Sequence, residues 1–390
     1  MKLTIPRATL VAALTAVRTV AAKGQALPIL FNVLLRAERQ HAEFTCTDLD
    51  ITLRTSALAH VEEEGACTVN ANLLFNLVNS FTGDDVDLEA AAGDLKIVCG
   101  TSKYKLGTLG VDEFPPYPKF TDATEFEIPQ IALRTVLAET AFAQGTDESR
   151  YILCASLLSL NGKMVACATD GRRLAVEEAD LLNPQQNKAD IVIPSRTVKE
   201  LLRLLASETK DDEKLPAVQI SVMDTAARFQ FGDLTLCTKL LEGTFPNYQQ
   251  VIPADSDTAI TVGRTDFLAA LRRVNFIADG ACTLEFKGQT LTVKAKGTKT
   301  GLSEGSESLL IPRVKPLTVK FNPDFLIEAL AAVADDEVFI QLEDKTAPCL
   351  FRVASKPWRA VTMCMRPDED PKAAEAPAAA SETETTAKPA

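Results

Sequence analysis

The residues best placed to do chemistry are two carboxylates, Asp48 and Asp50, which stand two positions apart in a strand-like run. Side chains at i and i+2 of a strand point to the same face, and paired carboxylates can share divalent cations for phosphoryl transfer. The pattern is therefore compatible with a metal-dependent nucleotidyltransferase. A second copy of the run carries Thr169-Asp170-Gly171, and there Arg172 replaces the second acid. Loss of that acid, with the Thr-Asp pair kept, favours a turn over a catalytic site.

Other enzyme chemistries have little support in the sequence. His41 and His60 are its only two histidines, which disfavours a His-ligated metal centre or a Ser-His-Asp triad. No G-x-x-x-x-G-K-[ST] or G-x-G-x-x-G pattern occurs, so nucleotide binding is not indicated. The nine cysteines are scattered without a C-x-x-C pair, which argues against zinc and disulfides and for reduced thiols in a cytoplasm. We expect no metal, no cofactor and no catalytic residue.

The composition is that of a globular protein. The chain has 390 residues, 46% hydrophobic and 24% charged, which is enough for two or three domains, each with its own core. Its formal net charge of −12 argues against simple electrostatic adhesion to nucleic acid. Any nucleic-acid role must therefore depend on how the charges are segregated.

A helix that would position such charges recurs three times along the chain. Its copies begin at Ile5-Pro6-Arg7, Ile128-Pro129-Gln130 and Val262-Gly263-Arg264. A second helix with apolar residues spaced by three or four follows in each copy, at residues 70–81, 194–205 and 322–333. The segment between Arg7 and Arg18 also resembles a short signal-peptide core. Because it has counterparts deep inside the chain, we interpret it as a structural helix.

The remaining signposts define the repeating unit. Short strand-like runs with Gly or Asp-Gly punctuation lie at residues 43–53, 163–176, 284–296 and 338–353. Phe114-Pro115-Pro116-Tyr117 and Phe245-Pro246-Asn247-Tyr248 close the first two units. The sequence therefore predicts an α+β fold of three repeated two-helix, antiparallel-sheet domains at residues 1–122, 123–252 and 253–366. Residues 367–390, with four Pro, eight Ala and six acidic residues, are predicted to form a disordered acidic tail.

The predicted helices carry an excess of positive charge in an acidic protein. The residues concerned are Arg7 and Arg18 in the first helix, Arg196, Lys199 and Arg203 against Glu200 in the fourth, and Arg264, Arg272 and Arg273 against Asp266 in the fifth. Such segregation suits contacts to the phosphates of a polyanion without base reading. The alternative is an ordinary solvated amphipathic face.

Five signatures together resemble one family over about residues 1–366. They are Leu27-Pro28-Ile29-Leu30, Thr47-Asp48-Leu49, the run from Ala168-Thr169-Asp170-Gly171 to Ala175, Gly243-Thr244-Phe245-Pro246-Asn247-Tyr248, and Met363-Cys364-Met365-Arg366. The chain is similar to the bacterial DNA polymerase III beta subunit, the sliding clamp of replication. The resemblance implies a non-catalytic head-to-tail homodimer, a six-domain ring whose helices surround duplex DNA. The implied partners are the polymerase III catalytic subunit, the clamp loader, and other DNA polymerases and repair proteins that carry clamp-binding peptides.

The resemblance also implies site residues. The implied DNA contacts are Lys23, Tyr151 and Arg196, to which the helix charge adds Arg7, Lys199, Arg203, Arg272 and Arg273. The implied dimer contacts are Leu74, Tyr104 and Leu106 facing Phe276 and Ile277. The implied peptide-binding pocket, between the second and third domains, consists of Leu153, Thr169, Gly171, Arg172, Arg173, Leu174, Pro246, Val251, Val361, Met363, Cys364, Met365 and Arg366. Apolar and methionine side chains suit a cleft that accepts different peptide anchors.

The sequence departs from the family pattern at several of these positions. Ile152 stands where a second aromatic residue is frequent, Arg172 where a histidine is common, and Cys364 where a proline is common. The acidic tail begins directly after the pocket residues, and we expect it to shield the pocket in part. A further alternative is a repeat scaffold that docks proteins without encircling DNA. Such a scaffold would gain nothing from basic helices, so neutralising Arg196, Arg203 and Arg273 would separate the two cases.

Overall fold

The chain divides into two compact units, Met1–Pro246 (unit 1) and Asn247–Ala390 (unit 2). The computed structural model describes residues 1–21, 27–91, 93–184, 188–206, 215–254, 256, 259–298, 301 and 303–365. Within that part of the chain, helices and antiparallel strands alternate in the α+β arrangement that the sequence predicts. No helix of the described residues is long and apolar enough to cross a membrane.

Unit 1 contains the plan of the repeat twice. The first copy comprises β1 Lys2–Pro6, α1 Arg7–Val17, β2 Asn32–Glu38, β3 His41–Thr47, β4 Ile51–Leu58, β5 His60–Glu63, β6 Gly65–Asn70, α2 Ala71–Ser80, β7 Asp85–Ala91, β8 Asp94–Cys99 and β9 Ser102–Gly107. The second copy comprises β10 Thr124–Ile128, α3 Gln130–Ala138, β11 Ala155–Asn161, β12 Lys163–Thr169, β13 Arg173–Asp180, β14 Ala189–Pro194, α4 Ser195–Leu204, β15 Val218–Val222, β16 Ala226–Phe231 and β17 Leu234–Lys239.

The strands of unit 1 connect its two copies through one sheet. Strands pair in the orders β5-β1-β7-β8-β9, β10-β15-β16-β17-β4-β3-β2-β6 and β14-β11-β12-β13. The second order includes the pairing of β17 with β4, in which Leu236 lies opposite Leu53. Both leucines are fully buried in one core cluster that draws on both copies. Burial of a leucine stabilises a fold by roughly 1.5–3 kcal/mol, so this seam holds the two copies together.

Unit 2 contains the third copy. Its elements are β18 Ile260–Gly263, α5 Arg264–Asn275, β19 Cys282–Gly297, β20 Ser303–Phe321, α6 Pro323–Ala332, β21 Glu337–Gln341, β22 Cys349–Arg352 and β23 Arg359–Thr362. The strands pair in the orders β18-β21-β22-β23 and β19-β20.

The long strand β19 folds back on itself. Lys294 Nζ lies 2.6 Å from Glu285 Oε2, although a straight strand would place residues nine apart about 30 Å from each other. Gly288, at φ +63°, sits between two irregularities in the pairing of β19 with β20. Glycine adopts this left-handed backbone without a Cβ clash, so the bend occurs there.

The predicted second helices are confirmed to within one residue at each end, as α2, α4 and α6. In α2, Ala71, Leu74 and Val78 are buried at helical spacing, and the Asn70 side chain caps the helix by accepting from Leu73 N at 2.9 Å. The prolines predicted to start helices lie one position earlier than the first turn. Pro6 and Pro129 have extended ψ values of 132° and 139° and directly precede α1 and α3.

Each copy closes on itself through the first residue of its first helix. Arg7 N donates to Asp84 O at 2.7 Å, just after α2, and Arg264 N donates to Asp336 O at 2.8 Å, just after α6. In the middle copy, Gln130 Nε2 donates to Pro216 O at 3.0 Å, beyond α4. We call these three contacts the clasps. Each clasp gives a hydrogen-bond partner to a backbone N–H at a helix start or to a buried side-chain amide. It also holds the start of the first helix of a copy against the segment that follows the second helix.

Candidate nucleic-acid and peptide interfaces

The first Thr-Asp pair of unit 1 forms the turn between β3 and β4. Thr47 Oγ1 donates to Ile51 O at 3.0 Å and accepts from Leu49 N at 3.1 Å. Asp48 Oδ1 accepts from Asp50 N and Ile51 N at 3.0 and 2.7 Å. The side chains thus hold the turn, and the single run predicted at residues 43–53 is split into two strands.

The second Thr-Asp pair repeats this hydrogen-bond pattern between β12 and β13. Thr169 Oγ1 donates to Arg173 O at 2.7 Å and accepts from Gly171 N at 3.1 Å. Asp170 Oδ1 accepts from Arg172 N and Arg173 N at 2.8 and 2.9 Å. The prediction that this pair builds a turn is therefore confirmed in both copies.

The other carboxylate oxygens are committed to cations of the protein. Asp48 Oδ2 pairs with Arg196 Nη1, and Asp50 pairs with Lys239 Nζ at 3.0 Å. Asp48 and Asp50 therefore face different partners. Within the described residues, no three His, Cys, Asp or Glu side chains are grouped so that they could hold a metal ion. The nucleotidyltransferase alternative has no site in this part of the chain.

The three basic residues of helix α4, Arg196, Lys199 and Arg203, are all exposed, but they differ in their partners. Arg196 is exposed, although its guanidinium reaches Asp48. Lys199 is exposed and makes no side-chain hydrogen bond or ion pair with another described residue. Lys199 is thus the uncommitted cation of α4.

Arg203 has a structural role instead. Its Nη1 donates to Thr15 O at 3.2 Å, and its Nη2 donates to Ala16 O at 2.6 Å, at the last turn of α1. The same side chain pairs with Glu200 at 2.8 Å. Arg203 therefore supplies donors to carbonyls that the end of α1 leaves unsatisfied, and it ties α4 to α1. Counting charges along one helix could not reveal these partners, because they come from residues almost 190 positions away.

The two adjacent arginines of α5, in unit 2, also differ. Arg273 makes a two-pronged ion pair with Glu307, at 2.8 and 2.9 Å. This pairing raises the pKa of Arg273 and lowers the pKa of Glu307. Arg272 is exposed and has no side-chain hydrogen bond or ion pair to a described residue. Only Arg272 of this pair keeps a free positive charge among the described residues.

The other predicted DNA contacts, Arg7, Tyr151 and Lys23, differ from one another in exposure. Arg7, at the start of α1, is partly buried. Tyr151 has 55% of its surface exposed, and its hydroxyl donates to Glu242 O at 3.1 Å. Lys23 lies outside the described residues. The eight predicted DNA contacts therefore do not form one set of exposed, unpaired residues.

The predicted dimer residues of unit 1 include one that the fold withdraws from the surface. Leu74 is fully buried in the core, so in this conformation it cannot contact another chain. Its neighbour Leu73, which the sequence did not single out, is 52% exposed on the solvent side of α2. The helical spacing of Ala71, Leu74 and Val78 was the signal that could have distinguished them.

The remaining predicted dimer residues are at least partly accessible. On β9, Tyr104 is 49% exposed and packs beside Phe81 at 5.7 Å between ring centroids, while Leu106 is partly buried. In unit 2, Phe276 is 88% exposed just after α5, and Ile277 is partly buried. Tyr104 and Phe276 therefore present apolar surface that a partner chain could reach.

The predicted peptide-binding residues of unit 1 divide by burial. Gly171, Arg172 and Pro246 are exposed. Leu153, Thr169 and Leu174 are buried, and the Arg173 side chain is held by Asp170 Oδ2 at 3.0 Å. A Cβ at Gly171 would meet only Arg150 Nη1, at 3.5 Å, so the backbone there is open to approach.

The predicted peptide-binding residues of unit 2 divide in the same way. Val251 and Met363 are 45% and 39% exposed, whereas Val361 is 1% exposed and belongs to the core. Cys364 Sγ donates to Ala347 O at 3.1 Å, and burial raises the pKa of this thiol to about 11. Met365 N donates to Lys320 O at 2.8 Å. Arg366 lies outside the described residues.

Comparison with known proteins agrees with the repeat. Three successive parts of the chain match the N-terminal, central and C-terminal domains of the DNA polymerase III beta subunit, at residues 1–118, 127–247 and 249–366. The chain belongs to the DNA polymerase III beta subunit family. It therefore has the role of the family, that of a beta sliding clamp and non-catalytic processivity subunit of DNA polymerase III.

Individual relatives match over nearly the whole chain. The beta sliding clamp of Pseudomonas aeruginosa is 30% identical over 91% of this chain and 96% of its own length. That of Chlamydia muridarum is 29% identical over 89% and 94%. The crystal structure of the DNA polymerase III subunit beta from Pseudomonas aeruginosa matches with a TM-score of 0.88, at 29% identity, over 94% of this chain and all of its own. The predicted family and fold are confirmed.

Proposed function

We propose that two copies of this chain close head to tail into a ring around duplex DNA and so hold DNA polymerase III on its template. Each copy would contribute three domains, at residues 1–122, 123–252 and 253–366, with their helices toward the DNA. A head-to-tail contact that closes after a fixed rotation gives a ring and not a fibre. Three similar modules in one chain supply the repeating geometry that such a closure requires.

The observation that carries the proposal is the pair of free cations on helices of an acidic protein. Lys199 on α4 and Arg272 on α5 are exposed and uncommitted among the described residues, in a chain of net charge −12. Cations on helices can contact phosphates without reading bases, which suits a protein that must slide. Arg196, Arg7 and Tyr151 remain proposed contacts that would add to these.

The test compares retention on nicked circular plasmid with retention on the same plasmid after linearisation. The protein is loaded by a matched clamp loader with ATP and washed in salt high enough to remove electrostatic binding. Retention on circles with loss from linear ends is the expected result. Equal loss from both would contradict encirclement and would favour the protein-only scaffold.

A charge-matched pair of variants tests the role of the helices. Lys199→Gln with Arg272→Gln should shorten retention on circular DNA, because two phosphate contacts are lost. Lys119→Gln with Lys345→Gln removes the same charge from exposed positions outside the helices and should leave retention unchanged. Equal effects of both pairs would mean that net charge alone matters, and the helix contacts would be discarded.

We further propose that the accessible residues of both units dock clamp-binding peptides of the polymerase III catalytic subunit, the clamp loader, other DNA polymerases and repair proteins. Met363 is the best-placed apolar contact, because it is exposed and its flexible thioether adapts to different anchors. Met363→Ala should weaken binding of a fluorescent peptide from the polymerase, measured by anisotropy. Exposed Leu58→Ala serves as the control, and an equal loss in both would remove Met363 from the proposed site.

A cytoplasmic location is part of the same proposal. All nine cysteines are free thiols, and seven of them are buried. Buried unpaired thiols are typical of a reducing compartment, where DNA polymerase III works.

A further inference from the structure

Unit 2 carries a group of three cations that the proposed DNA and peptide contacts do not use. Lys287, Arg313 and Lys315 are exposed, and none has a side-chain hydrogen bond or ion pair to a described residue. We call them the basic strip. They lie around one bend, because Gly288 of β19 is paired with Val314 of β20. Arg313 and Lys315 directly flank Val314 in the sequence.

The end of the described chain points along β20 toward this strip. Met365 forms an isolated antiparallel bridge with Lys320, in which Met365 N donates to Lys320 O at 2.8 Å. In an antiparallel pair, each step forward on one strand is a step back on the other. A chain that continued this pairing beyond Met365 would run from Lys320 toward Lys315 and Arg313.

The spacing of the lysines along β20 matches the spacing of the acidic residues in the sequence after Met365. Lys315 is five residues before Lys320, or about 17 Å along β20 at roughly 3.3 Å per residue. Asp370 is five residues after Met365 and ends the run Asp368-Glu369-Asp370. An extended chain of that length reaches Lys315 without slack. Residues 367–390 contain six acidic residues against two lysines, which complements the strip.

We propose that the acidic segment beginning at Asp368 docks on the basic strip of its own chain. The attachment is electrostatic and not an added strand, because Pro312, Pro316 and Pro367 lack the N–H groups that a ladder needs. A short tether gives an effective concentration in the millimolar range, so weak ion pairs suffice to keep the segment in place. The docked segment neutralises the strip, so that nucleic acid and other acidic partners are not held on β20. This proposal does not depend on the proposed DNA or peptide contacts.

The test is zero-length carbodiimide cross-linking of the full chain, read by mass spectrometry. An equal mixture of unlabelled and ¹⁵N-labelled protein distinguishes links within one chain from links between chains. We expect single-chain links from Asp368, Glu369 or Asp370 to Lys315 or Lys287. Their yield should fall about tenfold between about 0.01 M and about 1 M salt, where the screening length shortens from roughly 30 Å to 3 Å.

Two variants with equal charge change provide the control. Asp368→Asn, Glu369→Gln and Asp370→Asn together should abolish links to Lys315 and Lys287. Glu375→Gln, Glu382→Gln and Glu384→Gln together should leave the links from residues 368–370 in place. Equal linking of this run to exposed Lys345 and Lys119, links that persist at high salt, or links formed mainly between chains would each overturn the proposal.

Discussion

Two positions at the same place in equivalent turns differ in side chain but not in backbone. Leu49 has φ +80° and Gly171 has φ +88°, so both occupy the left-handed region. That conformation costs a residue with a Cβ about 1–2 kcal/mol, and glycine avoids the cost. The first turn therefore carries strain that the second does not. Its two side-chain networks, from Thr47 and Asp48, hold the strained residue in place.

Gly171→Ala should lower the free energy of unfolding by about 1 kcal/mol, because a residue with a Cβ would then have to adopt the left-handed backbone of this turn. The reciprocal change, Leu49→Gly, should leave stability nearly unchanged or slightly higher, since relief of strain is offset by the greater freedom of glycine in the unfolded chain. Urea unfolding of both variants measures the difference. Equal destabilisation by both would show that the positive φ values are not what matters.

Buried thiols give the protein a predictable response to alkaline pH. Burial raises the pKa of Cys67 and of Cys282 to about 12, from 9.0. A raised folded-state pKa contributes stability that is fully present below the unfolded pKa and is lost as pH rises toward the folded pKa. The free energy of unfolding should therefore fall from about pH 9 upward.

Unfolding midpoints in urea, measured with reductant across this alkaline range, check that expectation. Lysine and tyrosine side chains titrate there as well, so the comparison is with Cys67→Ala plus Cys282→Ala. That double variant should show a shallower decline with pH, even if it is less stable at neutral pH. The same slope in both proteins would mean that other groups cause the decline.

At the scale of elements, α4 carries both Arg203, which binds the end of α1, and Lys199, which is a proposed DNA contact. Arg203→Ala should lower the free energy of unfolding by about 1–2 kcal/mol, because charge-assisted hydrogen bonds to Thr15 O and Ala16 O are lost from a partly exposed site. Lys199→Ala should change it by less than about 0.5 kcal/mol. In contrast, Lys199→Ala should shorten retention on circular DNA more than Arg203→Ala does. A stable Arg203→Ala variant that releases DNA faster than Lys199→Ala would return Arg203 to the contact surface.

The elements were largely predictable from the sequence, and their contacts were not. Apolar spacing located α2, α4 and α6, because that signal is local. The Thr-Asp turns inside the runs at residues 43–53 and 163–176 were predicted, but the sequence did not show where the strands on either side of each turn end. The partners of Arg203 and Arg273 come from distant residues, so charge counting could not show which cations remain free.

At the scale of the whole molecule, the exposed aromatic after α5 is the main candidate for chain association. Phe276→Asp should convert the proposed dimer to a monomer in sedimentation equilibrium, with little change in unfolding, because the side chain is 88% exposed. Leu74→Ala should do the reverse and lower the free energy of unfolding by about 2–5 kcal/mol through a core cavity. A Phe276→Asp protein that remains a dimer would move the interface elsewhere, and Leu73→Asp would be the next variant to measure.

The clasps have a consequence for the ancestry of the chain. Arg7 meets Asp84, Gln130 meets Pro216 and Arg264 meets Asp336, so in every copy the first residue of the first helix is held against the segment that follows the second helix. The same contact therefore recurs at the same place in all three copies, although the residues that make it differ. Tandem duplication of one ancestral module therefore explains the threefold plan, and later divergence explains why the first copy has Leu49 where the second has Gly171.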